Sequence, residues 1–519
     1  MSSWISFPLS DLPIASGRSI NPFEFPEEEF ELYSVPSHET GHPEITKGGD
    51  IGSNKQIVSP GTVLLCKINP RINRTWIVGS AGSRRQIAST EWIAFDSCEE
   101  VDQRYLMYFL QQSAIRDYLA ANASGVGGSL MRIKPATLKG LTFRMPGIRT
   151  QRRIVEKLEE LLSDLDAGVA ELKAAKRKLA QYRQSLLKAA VEGALTADWR
   201  ATHGPPQETG AELLQRILSE RRARWEQKQL AKFAEQGKAP PKGWQAKFPE
   251  PVAPDKGDLP ALPEGWVWAT VDQLASVGTG VTPLRSKRSY FENGDIPWTT
   301  SGALNDEIVA SPSEYVTGIA ISECRLELYP TGSLLVAMYG EGKTRGKCAE
   351  LTFPSTINQA IAAIVFEGDA LAVKPHVKSF LLDAYEAMRK QASGGVQPNL
   401  NLQIIKALPV PFPPLAEQCE IHALLEYQLA NYRRLESSIA LALAQSTAQR
   451  KNLLKAAFAG QLVPQDPNDE PASTLLARIR AAREQAFSAR GRRRAGSNPA
   501  PATNLPNPGR RGRKTKESA

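Results

Sequence analysis

The sequence predicts an α+β protein: two mixed α/β globular domains, each followed by a long helix, with the two helices packing as an antiparallel coiled coil. Three observations carry this expectation. The chain repeats itself, since Leu186-Leu187-Lys188-Ala189-Ala190-Val191-Glu192-Gly193-Ala194-Leu195 matches Leu453-Leu454-Lys455-Ala456-Ala457-Phe458-Ala459-Gly460-Gln461-Leu462 at seven of ten positions, at an offset of 267. Apolar residues recur every seven positions ahead of each copy. Elsewhere, short apolar runs alternate with Gly, Pro and Asn, the pattern of strands and turns.

The first globular domain takes residues 1–146, where Thr62-Val63-Leu64-Leu65 reads as a strand and Gln103–Ala121 as a helix ahead of Ala123-Ser124-Gly125. Residues 147–198 form the first long helix. Between Gln151 and Glu192 there is no Pro and one Gly, and Leu158, Leu165, Leu172, Leu179 and Leu186 make a heptad seam with Leu161, Ala175, Tyr182 and Ala189 as companion row. Residues 199–263 hold a short amphipathic helix with Leu213, Leu214 and Ile217, then a Pro/Lys-rich linker from Gly237 to Pro263.

The second globular domain spans 264–413, with Ser333-Leu334-Leu335-Val336 as a strand and Val377–Gln391 as a helix before Ala392-Ser393-Gly394. Residues 414–487 supply the second long helix and a short C-terminal helix with Leu475, Leu476 and Ile479. Leu425, Tyr432, Ile439 and Leu453 form its seam, Ser446 interrupts it, and Leu435 and Ala442 sit beside it. The offset of 267 also places Pro146, Gln151, Ile154 and Leu158 on Pro413, Gln418, Ile421 and Leu425. Each long helix comes after a Pro stop and ends at a glycine, Gly193 or Gly460. Two apolar seams in a duplicated chain are both satisfied when they meet.

At 519 residues the chain is long enough for several cores, and 41% hydrophobic with 23% charged residues fits a globular protein. No apolar run approaches the roughly 18 residues of a membrane span. Met1 to Gly17 carries no basic flank ahead of an apolar stretch, so it does not read as a signal peptide, and the cytoplasm is the expected compartment. Five scattered cysteines (Cys66, Cys98, Cys324, Cys348, Cys419) contain no Cys-x-x-Cys pair and suit neither a disulfide framework nor a zinc ribbon. Most of the net charge of +9 sits in residues 488–519, a disordered basic tail with nine Lys or Arg against Glu517 alone. Charge by itself is therefore weak support for nucleic-acid binding.

Two catalytic patterns fail in context. His38-Glu39-Thr40-Gly41-His42 fits H-E-x-x-H, but Pro36, Gly41 and Pro43 leave no room for the helix that would put both imidazoles on one face. Gly342-Lys343-Thr344 comes after a strand, yet Ala337 stands where a phosphate loop needs its first glycine, and the next residues read as strand and not helix. The sequence offers no catalytic residues and no metal ligands. The chemistry left to it is contact chemistry: Arg, Lys, Asn and Gln on loops, the residue types that read base edges and grip phosphates. The DNA-binding candidates are Lys67, Arg71, Arg74, Arg84, Arg85, Arg132 and Lys134 in the first domain. In the second they are Arg285, Lys287, Arg288, Lys343, Arg345 and Lys347, with Gln397 and Asn399 near its exit.

A set of ordered motifs then narrows the reading. Pro263-Glu264-Gly265-Trp266 opens the second unit, with Gly280-Val281-Thr282-Pro283 and Gly294-Asp295-Ile296-Pro297-Trp298 after it. Gln391-Ala392-Ser393-Gly394 and Pro411-Phe412-Pro413-Pro414-Leu415-Ala416-Glu417-Gln418 lead into the helix. Together with the duplication, these make the chain resemble the specificity (S) subunit of type I restriction-modification systems. The first unit departs from the pattern, lacking Gly-x-Thr-Pro and carrying Met145-Pro146-Gly147 where the second has Phe412-Pro413-Pro414.

The resemblance implies that the two globular parts are target recognition domains, each reading one half of a split site in double-stranded DNA. It implies helices that hold the halves apart and dock two methyltransferase (modification) subunits, with motor-nuclease (restriction) subunits completing the complex. No cofactor is then expected on this chain; S-adenosylmethionine, ATP and Mg belong to the partners. Two other classes remain as alternatives: a coiled-coil adaptor that joins proteins without DNA readout, and a self-sufficient DNA methyltransferase.

Overall fold

The computed structural model describes residues 4–15, 18–125, 131–255, 257, 259–340, 344–391 and 399–495. In chain order the first domain contains strands β1 (Ile5–Pro8), β2 (Ser19–Ile20), β3 (Glu29–Tyr33), β4 (Glu44–Lys47), β5 (Lys55–Ile57), β6 (Val63–Cys66), β7 (Thr75–Ile77), β8 (Arg85–Ser89) and β9 (Trp92–Phe95). Helices α1 (Gln103–Leu110) and α2 (Ser113–Ala121) and strand β10 (Thr142–Met145) complete it. The long helix α3 (Ile148–Val191) comes next, then α4 (Ala197–His203) and α5 (Gly210–Glu235).

The second domain begins with β11 (Val267–Thr270), α6 (Val271–Leu274), β12 (Ser276–Thr279), β13 (Ile296–Thr299), β14 (Ile308–Val309), β15 (Glu314–Val316) and α7 (Gly318–Cys324). It continues through β16 (Leu334–Ala337), β17 (Cys348–Leu351), β18 (Thr356–Ile357), β19 (Ile361–Val365), α8 (Lys374–Asp383), α9 (Tyr385–Gln391), α10 (Leu402–Ala407) and β20 (Pro409–Phe412). The last elements are α11 (Leu415–Ala459) and α12 (Ala472–Ala495).

Two compact units divide these elements: Met1–Leu172 with Leu441–Ala519, and Lys173–Ala440. The first unit holds a five-stranded sheet ordered β2-β5-β8-β3-β4, a three-stranded sheet β7-β6-β9, and the antiparallel ribbon β1-β10 with Ile5 opposite Met145. The second holds β12-β19-β16-β17-β14, β15-β13-β18, and the ribbon β11-β20 with Val267 opposite Phe412. The duplication read from the helices thus extends to the domains. In both, a ribbon joins the start of the domain to the strand before the long helix, and the strands read from Thr62 and Ser333, β6 and β16, are each flanked on both sides.

Each unit also contains parts of both long helices, running antiparallel. In the first unit Val155, Leu158 and Leu162 of α3 share a core with Leu454, Ala457 and Phe458 of α11, alongside Leu65, Phe95, Tyr105 and Phe143 of the domain. In the second, Leu186, Leu187 and Ala190 pack with Ile421, Leu425, Leu429 and Trp266. Burial in the described residues tracks Leu158, Leu165, Leu172, Leu179 and Leu186 on α3 and Leu425, Tyr432, Ile439 and Leu453 on α11, all buried or half-buried.

The companion row differs from the expected one. Tyr182 and Leu435 are exposed, at 47% and 52%, whereas Leu162, Ala190, Leu429 and Ala457, four residues beyond a seam position, are buried. An α-helix advances 3.6 residues per turn, so positions three and four away flank a seam on opposite sides, and here the domain cores cover the second side.

Helix ends show why the repeat keeps Gln and Gly. The buried Gln151 side chain donates to Pro146 O at 3.0 Å, and Gln418 donates to Pro413 O at 2.8 Å, so each amide ties the first turn to the proline stop. Gly193 and Gly460 adopt φ of +79° and +78°, the left-handed termination that a side chain disfavours. The shorter helices match as well: Leu213, Leu214 and Ile217 enter the core of the second domain, and Leu475 and Ile479 that of the first.

Three expectations need correction. Gln103–Ala121 is two helices, because Asn73 Nδ2 donates to Leu110 O at 2.7 Å and diverts a carbonyl at the break. The segment from Gly237 folds back instead of hanging as a linker: Trp244 is buried and stacks on Trp225 at 5.7 Å, with Phe248 edge-on to Trp225 at 5.5 Å. Of the tail read from Ser488, residues 488–495 continue α12, a stretch without Pro in which Ala and Arg, both strong helix formers, predominate. Residues 496–519 lie outside the described residues.

Candidate nucleic-acid interface

The basic residues of the first domain separate into two groups. Arg84 and Arg85 open β8 beside the start of β3. Arg84 pairs with Glu29 at 2.8 Å, and Arg85 forms two bonds to Glu28 at 2.6 and 2.5 Å while lying over the Phe25 ring at 4.4 Å. The hydrogen bonds from Arg85 hold the Glu28 carboxyl below the usual carboxylate range. These guanidiniums are neutralised on the spot.

The other group gathers on the loop between β6 and β7. Asn69 and Asn73 there have positive φ, 47° and 54°, and bracket a 3₁₀ turn at Pro70–Ile72. Asn tolerates this conformation better than other residues with a side chain. The loop is stitched down by Ile72 N to Asn69 O at 2.9 Å, Asn73 N to Pro70 O at 3.0 Å and Cys66 N to Arg74 O at 3.0 Å. The segment after the first Ala-Ser-Gly runs beside it, with Asn69 N donating to Met131 O at 2.8 Å and Ile133 N to Lys67 O at 3.0 Å. Lys67, Arg71, Arg132 and Lys134 are therefore neighbours on two joined loops. Arg71 and Lys134 are exposed, Arg132 reaches Glu91 at 3.0 Å, and Arg74 turns away to Glu39 at 3.4 Å.

In the second domain the loop after β12 carries Arg285, Lys287 and Arg288. Arg285 forms a two-pronged ion pair with Glu314 and lies 4.9 Å from the ring centres of both Phe291 and Trp298. Lys287 pairs with Glu323, which also accepts from Tyr290 Oη at 2.7 Å, and Arg288 is exposed. Arg345 and Lys347 lie on the β16–β17 hairpin. The Arg345 Nε is buried without a hydrogen-bond partner among the described residues, and Lys347 Nζ donates to Asn305 Oδ1 at 3.1 Å. Asn399 is exposed next to Leu400, whose N–H donates to Met338 O at 3.2 Å just past β16. Lys343 and Gln397 lie outside the described residues.

The two domains thus place a loop after the flanked strand, β6 or β16, against the segment that comes after Ala-Ser-Gly. The acidic partners Glu28, Glu91, Glu314 and Glu323 were not legible as such, since no sequence spacing announces a pair 29 to 57 residues apart. The tempting His38 is occupied structurally: its Nε2 meets Thr75 O at 3.0 Å and its ring sits edge-on to Trp76 at 5.7 Å.

Residues 263–439 match the family model of the type I restriction modification DNA specificity domain. Those residues therefore form a type I restriction modification DNA specificity domain, and the chain as a whole is similar to the specificity subunits of type I restriction enzymes. It is 24% identical over 378 residues to the type I restriction enzyme EcoDI specificity subunit of Escherichia coli, covering 69% of this chain and 73% of that one. It is 25% identical over 187 residues to the MjaIX specificity subunit of Methanocaldococcus jannaschii, covering 36% and 41% respectively. A chain solved in work on complex assembly and conformational transition of the type I R-M system has the same fold, with a TM-score of 0.61 at 17% identity over 89% of this chain and 99% of that one. Members of this family are specificity subunits and not the catalytic ones. Among the described residues no helix is long and apolar enough to cross a membrane.

Proposed function

We propose that this specificity subunit reads a bipartite target in double-stranded DNA, one domain per half-site, for a type I restriction-modification complex. The observation that carries the reading is one scaffold built twice with different chemistry at the same place. The loop after β6 offers Lys67, Arg71, Arg132 and Lys134, and the loop after β16 offers Arg345, Lys347 and Asn399. Two unlike readers on like scaffolds suit two unlike half-sites. In this reading the long helices dock two methyltransferase subunits, which bring S-adenosylmethionine, and motor-nuclease subunits add ATP and Mg.

The test is a domain exchange. Replacing residues 264–410 with the equivalent part of a relative, in the assembled methyltransferase, changes one half of the methylated sequence and leaves the other half intact. A change in both halves, read by methylome sequencing, would refute independent reading. A protein adaptor without DNA readout predicts no sequence change at all.

A further inference from the structure

We propose that Arg71 and Ile72 at the tip of the β6–β7 loop read bases of the first half-site, Arg71 a guanine and Ile72 the methyl group of a thymine. Lys67 and Lys134 around them grip the phosphates. The inference rests on the proposed function and assigns the first domain's base contacts to two neighbouring residues.

Rigidity is the starting point. A side chain discriminates between base pairs only if its backbone is held, because a mobile loop adjusts to the wrong pair. The Pro70–Ile72 turn is held at both ends by left-handed asparagines, by Asn73 Nδ2 on Leu110 O, and by Asn69 N on Met131 O. Such a backbone is a costly conformation for a connection that only joins two strands. The tip nevertheless projects Arg71 and leaves Ile72 50% exposed, an apolar side chain in a polar, basic setting.

Burial of the other strand residues gives Ile72 no core to complete. Val63, Leu64, Leu65 and Cys66, shortly before the tip, are all buried, so the exposure belongs to the loop. An exposed aliphatic group next to an exposed guanidinium matches two direct contacts of the major groove: Arg across the N7 and O6 of guanine, and an apolar group on the thymine methyl.

The neighbours divide the labour. Arg71 makes no ion pair among those found in the described residues, whereas Arg132 is tied to Glu91 and Arg74 to Glu39. Lys134 is exposed on the adjoining segment, set back from the tip and placed for a backbone phosphate. The corresponding loop of the second domain occupies the same position after β16 with other residues, as the reading of a different half-site requires.

The experiment uses the full chain in its assembled methyltransferase and reads the methylated motif genome-wide. R71A relaxes one position of one half-site, with discrimination there falling about tenfold to a hundredfold, and leaves the other half-site unchanged. I72A relaxes an adjacent position. K134A slows methylation evenly across sites and keeps the motif. If R71A abolishes methylation, R71Q decides: a motif shifted or relaxed at that position upholds the assignment, and an unchanged motif overturns it. An R71A complex with the wild-type motif likewise overturns it, even if slower, because Arg71 then only grips. Failure of the wild-type complex to methylate any defined motif would instead remove the proposed function itself.

Discussion

Trp266 Nε1 donates to Glu417 Oε2 at 2.8 Å, joining the start of the second domain to the first turn of α11 in a buried site. Glu417 is 2% exposed and also accepts from Thr196 Oγ1 at 2.6 Å and pairs with Arg200. Removing the carboxylate would leave the indole N–H and the hydroxyl without this acceptor and strip the charged partner from a largely buried guanidinium, which keeps only neutral acceptors such as Gly193 O at 2.6 Å. E417A therefore destabilises the second unit by about 3–5 kcal/mol, the range for breaking a buried pair on one side. W266F, which keeps most of the ring and loses one bond to a charged acceptor, loses about 1.5–3 kcal/mol. Urea midpoints for the two variants give the ranking, and a larger loss in W266F would contradict it.

The two helix-ending glycines are equivalent in conformation and unequal in surroundings. A Cβ on Gly193 would stand 2.9 Å from Pro263 Cγ and 3.0 Å from Trp266 Cζ2, while one on Gly460 would stand 3.3 Å from Trp4 Cζ2. Both G193A and G460A carry the left-handed penalty of about 1–2 kcal/mol. G193A adds a clash with a proline ring and an indole that are both packed. Thermal unfolding is expected to show G193A as clearly the worse, and equal shifts would mean the second domain yields at no penalty.

Much of this fold is legible in the sequence. The 267-residue repeat locates both helices, and Gln151, Gln418, Gly193 and Gly460 mark their ends because caps and stops need particular residues at particular positions. The aromatic fold-back of Trp244 and Phe248 onto Trp225 is not legible, since Pro, Lys and Gly dominate the same stretch and the contacts are tertiary. For the interface, sequence supplies the basic residues but not their state. Arg71 and Arg85 look alike in the chain, yet one projects from a tip and the other is held by Glu28, a distinction that rests on strand register between β3 and β8.

His376 gives the second unit an acid-sensitive point. It is buried between α8 and β20, its Nε2 donates to Pro411 O at 2.7 Å, and burial holds the imidazole down at about 4. In the unfolded chain it titrates near 6.5. Between those values the unfolded state binds a proton that the folded state refuses, so stability falls as pH drops from 6.5 towards 4 and then levels off. The loss is on the order of 3 kcal/mol. Urea titrations at pH 7 and pH 4.5 should show a steeper decline for the wild type than for H376F, whose phenyl ring cannot titrate. Parallel declines would assign the acid sensitivity to other groups.

Arg285 makes the last prediction, because on the proposed reading its present partner would compete with DNA. Glu314 accepts two bonds from it, and those bonds hold the Glu314 carboxyl below the ordinary range, so the pair stays ionised and nearly neutral as a unit at physiological pH. A guanidinium in this state offers little to a phosphate unless the DNA displaces the carboxylate. E314Q frees the cation while the flanking Phe291 and Trp298 rings still hold it in place. Binding of the assembled complex to DNA should then tighten, and the slope of log affinity against log salt should steepen by about one unit, the value for one added phosphate contact. R285A should have the opposite effect, since it leaves an unpaired carboxylate facing the backbone. The double variant R285A/E314Q should lie between them, and its departure from additivity measures how strongly the two residues are coupled. Equal salt slopes in all four proteins would place Arg285 away from the DNA, with the pair serving only to fasten β15 to the loop after β12.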